Sequence, residues 1–153
     1  MIDFPELSDQ TLVRLLLIAE SHHRLLGKPL IDSPEDIGRA LWQAPRVIVA
    51  HGTEDDPIFF YGNRLALQAF EMSFTDFIRL PSRFSAEPLL REERACLLER
   101  VSRDGYIDDY AGIRISATGR RFKIDQAVVW NLIDAAGVCH GQAASFDQWI
   151  ALD

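Results

Sequence analysis

Apolar and polar positions alternate through the last third of the chain. Tyr106–Ser116 and Arg121–Leu132 are long, β-branched and aromatic. Between them Ala117-Thr118-Gly119-Arg120 makes a tight hairpin turn, with glycine where positive φ is needed. A second turn, Asp134-Ala135-Ala136-Gly137, leads into Val138–Gln148. The spacing predicts a three-strand antiparallel meander. Period two puts Ile107, Ile113 and Ile115 on one face of its first strand. It puts Phe122, Ile124, Val128, Trp130 and Leu132 on one face of the second, with Val129 and Ile133 opposite. Both faces of this sheet therefore need a cover.

Upstream the period lengthens to that of helices. Ser8 caps a helix that runs to about Leu26 and stops at Gly27. Leu12, Leu15, Leu16, Ala19 and Leu26 form its apolar stripe, and Val13, Leu17 and Ile18 widen it. Ser33-Pro34-Glu35 opens a second helix carrying Ile37, Leu41 and Trp42. Val47–His51 and Ile58–Tyr61 read as strands, separated by an acidic turn. Arg64–Glu71 turns helical, and Ser73 or Thr75 caps a short helix through Phe77. Leu80-Pro81-Ser82-Arg83 breaks the pattern. Glu87-Pro88 opens a longer helix to about Asp104, with Leu90, Leu97, Leu98 and Val101 inward. The order implies an α+β fold: one antiparallel sheet, helices on one face, and the N-terminal helix available for the other. The expected core is Phe60, Phe70, Phe77, Leu97, Val101, Ile113, Ile115, Phe122, Ile124, Trp130 and Phe146.

Composition narrows the function. The chain has 153 residues, 48% of them hydrophobic and 25% charged, which suits one soluble globular domain. A net charge of −7 argues against nucleic-acid partners and anionic membrane surfaces. Of the 16 basic residues only Lys28 and Lys123 are lysine, a bias better explained by genome composition than by anion recognition. Cys96 and Cys139 stand apart without a CxxC pattern, so neither a disulfide framework nor a zinc site is expected. Reduced thiols, no signal peptide and no long apolar run point to the cytoplasm.

The chain resembles a known family. The run Phe59-Phe60-Tyr61-Gly62-Asn63 followed by Phe70-Glu71-Met72 is similar to the MEKHLA domain family. So are Leu80-Pro81-Ser82-Arg83, Ser85-Ala86-Glu87, Asp108-Asp109-Tyr110, Gly119-Arg120-Arg121-Phe122, Val129-Trp130-Asn131-Leu132 and Gly141-Gln142-Ala143-Ala144. The resemblance covers about residues 40–151 and is closest in kind to the stand-alone bacterial members. It implies a PAS-like five-stranded antiparallel sheet with helices on one face and two additional N-terminal helices. Residues 1–45 then form a helical extension to a PAS-like unit at 46–153, together one compact body. PAS-like topology implies strands ordered second–first–fifth–fourth–third. The family has no agreed catalytic residues, so none is carried over.

Several residues invite chemistry. Asp108 and Asp109 point to opposite faces of a strand and cannot act as an acid/base pair. Asp109 shares parity with Ile107, which suggests burial against an arginine. Cys139 and His140 diverge for the same reason. His22 and His23 lack a ligand at i+4, so no metal site is expected. In PAS-like sensors a pocket histidine can ligate haem, and His51 or His140 could serve, although a lone histidine is more often structural. Photosensory relatives that attach flavin covalently need a cysteine after the second strand, and Leu80–Glu87 has none. Cofactor identity stays open, with haem and flavin the two to test. Arg83, on the Pro-broken loop, could take a carboxylate in a bidentate fork or could pair with Glu87 or Asp109. Trp130 could line a pocket or simply pack.

The sequence therefore predicts a PAS-like sensory or regulatory module binding a small molecule or protein partner. Its ligand-binding candidates are Tyr61, Asn63, Arg83, Ser85, Arg114, Trp130 and Gln142. No catalytic residue and no metal ligand is expected. The rivals are a dimerisation or interaction module without ligand, and a small enzyme using the helix–sheet cleft. The apolar girth of the first helix, with the outer sheet face, predicts a homodimer. The competing arrangement folds that helix across its own sheet.

Overall fold

A computed structural model describes residues 3–31, 35–86 and 91–152. Five helices are present in it: α1 (Asp9–Leu26), α2 (Ile37–Gln43), α3 (Arg64–Phe70), α4 (Phe74–Phe77) and α5 (Arg91–Asp104). The strands are β1 (Val47–His51), β2 (Phe59–Gly62), β3 (Tyr106–Ile115), β4 (Arg121–Ile133), β5 (Cys139–Phe146) and β6 (Trp149–Leu152). A 3-10 turn spans Ser82–Ser85. The expected Ser33-Pro34 and Glu87-Pro88 helix openings, and Leu90, lie outside the described residues, as does the side chain of Leu98. Among the described residues α2 is capped instead by Asp36, whose side chain accepts from the Arg39 N–H.

All pairings are antiparallel, in the order β2-β1-β5-β4-β3, as the PAS-like topology implied. β1 lies inside the sheet, between β2 and β5. A sixth strand, β6, was not expected. It pairs with the first turns of β4 (Arg121↔Leu152 to Ile124↔Trp149), continuing the track that β5 follows along Val128–Ile133. The two tracks meet opposite Gln126, a non-glycine residue at φ 52.

That interruption changes which residues face which layer. Phe122 and Ile124 pack on the helix side, with Phe59, Phe70, Phe77 and Phe146. Past Gln126 the parity flips. Ala127 and Val129 now face the helices, and Val129 packs with Leu97, Val101 and Ile107. Trp130 and Leu132 face outward, against Leu15 and Ile18 of α1. The unbroken face expected from Phe122 to Leu132 is thus two half-faces. β3 shifts register twice, between Ile107 and Gly112. As a result Arg114 and Ser116 are buried, while Ile113 and Ile115, expected in the core, are only half-buried. Phe60 is half-buried too, under the Arg14 guanidinium at 4.6 Å, and Phe59 takes the core position.

The outer sheet face is covered by α1 of the same chain. Trp130 Nε1 donates to Ile18 O (3.1 Å), and Ile133 N donates to Ser21 Oγ (3.0 Å). The buried side of α1 is Leu15, Ile18, Ser21 and His22. Leu16, expected in the stripe, is 41% exposed, and Val13 is 59% exposed. The surface expected to join two subunits, α1 plus outer sheet, meets within one chain. α1, α2 and the sheet share one apolar cluster.

Candidate functional site

β3, β4, β5 and β1 curve around a cavity of about 60 Å³. Its floor is the helix-side face of the sheet: Val49, Ile124, Ala127, Val129, Ala144 and Phe146. Phe70 of α3, Leu97 of α5 and Ser85 of the 3-10 turn close it from above. Most of the lining is aliphatic or aromatic. Five polar side chains join it: His51, Ser85, Tyr110, Arg114 and Gln142.

Each is held by a local device. Arg114 is 8% exposed, with Nη1 donating to Ile113 O (3.1 Å) and Nη2 to the Tyr110 phenol oxygen (2.7 Å). Gly112 makes room for that contact, since a Cβ there would lie 2.3 Å from the Tyr110 oxygen. Ser85 Oγ donates to Ser82 O (2.6 Å). The His51 imidazole contacts Gly52 O through Nδ1 at 2.9 Å. Gln142 hangs on a directed amide chain. Val101 O can only accept, so it takes Asn131 Nδ2–H (3.0 Å). Asn131 Oδ1 must then accept, and it takes Gln142 Nε2–H (2.9 Å). This fixes the Gln142 amide with Oε1 at the free end, buried and without a hydrogen-bond partner. The chain runs from the cavity wall to the last turn of α5.

The seven expected ligand residues divide. Ser85, Arg114 and Gln142 line the cavity. Tyr61, Asn63, Arg83 and Trp130 do not. Tyr61 is fully buried in the cluster beneath α1, where desolvation pushes its phenol pKa up. Asn63 is a clamp: Oδ1 accepts from Ile48 N and Ala66 N, while Nδ2 donates to Leu41 O and Arg46 O. Its hydrogen-bonding capacity goes into the fold. Arg83 pairs with Asp56 (3.0 Å) and lies over the Phe84 ring at 4.1 Å, with 43% of its side chain exposed. It does not line the cavity, and among the described residues its ion pair is with Asp56 and not with Asp109; Glu87 lies outside the described residues. Trp130 lies on the other side of the sheet because of the flip at Gln126. Asp109 is exposed and 3.9 Å from Arg100, not buried. Tyr110 was missed by sequence reasoning; the Tyr110-x-Gly112-x-Arg114 spacing was its only local signal.

Other perturbed groups serve turns. Hydrogen bonds from Thr118 and Ser116 hold the Glu71 carboxyl below its ordinary pKa. The Asp134 carboxyl is held low by His140 Nε2 (2.7 Å) and by the Val138 and Ala136 N–H groups. Both flank hairpins, and neither lines the cavity. A second, wider groove of about 600 Å³ between α5 and β3 is open to solvent and lined by Glu92, Glu93, Arg100 and Asp109. Among the described residues no three metal-ligating side chains converge. No helix among them is long and apolar enough to cross a membrane.

The cavity does not fit haem or flavin. Pockets for such groups start at about 300 Å³, and this cavity is about 60 Å³, with Phe59, Phe70 and Leu97 in its walls. Neither Cys96 nor Cys139 lines it.

Similarity to known proteins follows the fold. The PAS domain of a Colwellia psychrerythraea protein superposes with a TM-score of 0.62 at 14% identity, covering 76% of this chain and 98% of that one. The light-state dimer of the fungal blue-light photoreceptor Vivid gives 0.60 at 13% identity, covering 92% of this chain and 95% of that one. In sequence, the homeobox-leucine zipper protein HOX10 of Oryza sativa subsp. indica is 26% identical over 151 residues. That match takes in 95% of this chain and 17% of the rice protein. Such relatives lend no support to a stand-alone bacterial type. The model of the MEKHLA domain matches residues 11–151, from α1 through β6. By that match over nearly its whole length, the chain belongs to the MEKHLA domain family.

Proposed function

We propose that this chain is a PAS-like sensory or regulatory module whose helix–sheet cavity is its input site. The observation that carries the reading is the convergence of Arg114, Tyr110, Ser85, His51 and Gln142 on an otherwise apolar cavity. Few, placed polar groups in an apolar pocket are the usual make-up of a small-molecule site. The Gln142–Asn131–Val101 chain gives an occupant a route to α5, and ligand binding would act by favouring one arrangement of that helix. Relatives point the same way: Vivid is a photoreceptor, and the rice relative carries this region within a homeobox-leucine zipper protein. A cytoplasmic setting suits this reading.

The size of the cavity favours a second reading. At about 60 Å³ it is small for a ligand site, and α1 leaves Val13 and Leu16 exposed. A domain with a filled core and an apolar helix edge suits a dimerisation or interaction module. An enzyme has less support, because the perturbed carboxylates sit in turns. Native mass spectrometry of the protein purified from cells separates these readings. Under the sensory reading a bound mass of low molecular weight is carried and lost on denaturation. A ligand-free spectrum from several expression hosts overturns it, and a ligand-free dimer supports the interaction module.

A further inference from the structure

A guanidinium carries a full positive charge and five N–H donors. At Arg114 the hydrogen-bond partners, Ile113 O and the Tyr110 phenol, are both neutral. Among the described residues no carboxylate lies within ion-pair distance of it. The acids preceding it on β3, Asp108 and Asp109, are exposed, and Asp109 is engaged with Arg100. Yet Arg114 is 8% exposed and lines the cavity. Burying a charge without a counter-charge is costly, and buried charges are ordinarily paired. The missing anion is therefore to be sought in the cavity itself.

We propose that the cavity takes a small free monocarboxylate, its carboxylate held by Arg114 and its short apolar chain set against Ile124, Val129 and Phe146. This rests on the reading of the cavity as the input site and adds the ligand's chemical class. Size sets the length of the chain. One water position needs about 10–15 Å³ of such space, so a cavity of about 60 Å³ admits roughly four to six heavy atoms. That is the range from acetate to butyrate. An inorganic oxyanion is a poor match, since it needs donors on every side and most of the lining is aliphatic or aromatic. A carboxylate has one charged end and one apolar end, as the cavity does.

The test titrates the ¹⁵N-labelled full chain at pH 7 with sodium propionate, propionamide and sodium chloride at matched ionic strength. Propionate is expected to shift amides of β3 and β5 saturably and to raise the unfolding midpoint. Propionamide, the same size without the charge, is expected to bind about tenfold more weakly or worse. Arg114→Gln is expected to lose the propionate response while keeping a dispersed spectrum. The comparison of the two ligands on the wild type stands even if that variant fails to fold. Equal binding of propionate and propionamide overturns carboxylate recognition and leaves the cavity a ligand site. Equal effects of propionate and chloride overturn it as a general anion effect. No response to either propionate or propionamide overturns the proposal and removes support from the cavity as an input site.

Discussion

The indole N–H of Trp130 donates to the main-chain carbonyl of Ile18 at 3.1 Å, joining the middle of α1 to the middle of the sheet. The His22 ring meets the same indole edge-on at 4.9 Å. Trp130 is fully buried there, so α1 is part of the packed body of the domain. Trp130→Ala is expected to cost about 3–5 kcal/mol, as large-to-small changes of buried aromatics do. Trp130→Phe keeps much of the area and loses the hydrogen bond, for about 1 kcal/mol or somewhat more. Urea unfolding followed by circular dichroism reads both. A loss below about 1 kcal/mol for the alanine variant would show that α1 is not docked in solution.

His22 makes that docking pH-dependent. Burial lowers its pKa from 6.5, and the nearby Arg46, Lys28 and His23 charges add to the shift; the Lys28 carbonyl, 3.0 Å from Nδ1, opposes it. A folded-state pKa below the unfolded one means that the unfolded chain takes the proton more readily. Stability should therefore be level above pH 6.5 and fall as the pH drops from there towards the folded pKa. Glu71 and Asp134 have lowered carboxyl pKa values, so their contribution is lost only below about pH 4.5. Urea midpoints at pH 7 and 5.5, for wild type and His22→Asn, isolate the histidine. The wild type should lose more than the variant between those values. Parallel losses would assign the pH dependence elsewhere.

Local chemistry made much of this fold legible. The hairpin at Ala117–Arg120 and the turn at Asp134–Gly137 are written in residue types that tolerate few alternatives, and they set the β3-β4-β5 order. The place of β1 beside β5 came from family resemblance, because no local signal links residues that far apart. Face assignments failed where the backbone breaks period two. Nothing in the Asp125-Gln126 pair marks a left-handed residue, so Trp130 was placed on the wrong side of the sheet. Of the ligand-binding candidates, Ser85, Arg114 and Gln142 line the cavity. The pairing of Arg83 with Asp56 was not legible in the sequence because Asp56 sits 27 residues away on another loop. β6 was overlooked because Trp149–Leu152 is short and terminal.

Asn63 shows what a fully used amide is worth. It caps α3, satisfies the Ile48 N–H in β1 and ties two carbonyls ahead of that strand. Asn63→Ala should cost about 3 kcal/mol or more, the loss of a cap combined with buried groups left unpaired. Asn63→Asp keeps both accepting bonds but turns a carboxylate oxygen toward Leu41 O and Arg46 O. It should be destabilising as well, and by more at pH 7 than at pH 4. Urea midpoints at the two pH values check this. An aspartate variant as stable as wild type at pH 7 would mean the two donated bonds contribute nothing.

Gly141 lets β5 approach β1 beside the cavity. Its φ is +139, and a Cβ there would lie 2.0 Å from His51 O. The clash is with backbone, so no rotamer change relieves it. Gly141→Ala should cost at least about 2–3 kcal/mol, combining the strain of a disfavoured φ with lost pairing. The damage should centre on His51 and Gln142, which face each other across the two strands. Hydrogen exchange should therefore rise at the His51 end of β1 more than at Val47. Uniform exchange along β1 would place the strain elsewhere.

Gln126 offers the opposite sign. It is exposed, has φ 52, and divides β4 into segments that pair with β6 and with β5. A left-handed conformation costs an L-residue roughly 1–2 kcal/mol that glycine does not incur. Glycine gives back part of this through its more flexible unfolded chain. Gln126→Gly should then stabilise by about 0.5–1 kcal/mol. Gln126→Val should destabilise, because a β-branched side chain fits this region worst. The pair tests the feature on which the site depends. If residue 126 were extended, Trp130 would face the helices and Val129 the outer layer, and the cavity wall would be built from different residues. In that case valine would be the better strand residue and glycine the worse one, reversing the order of the two urea midpoints.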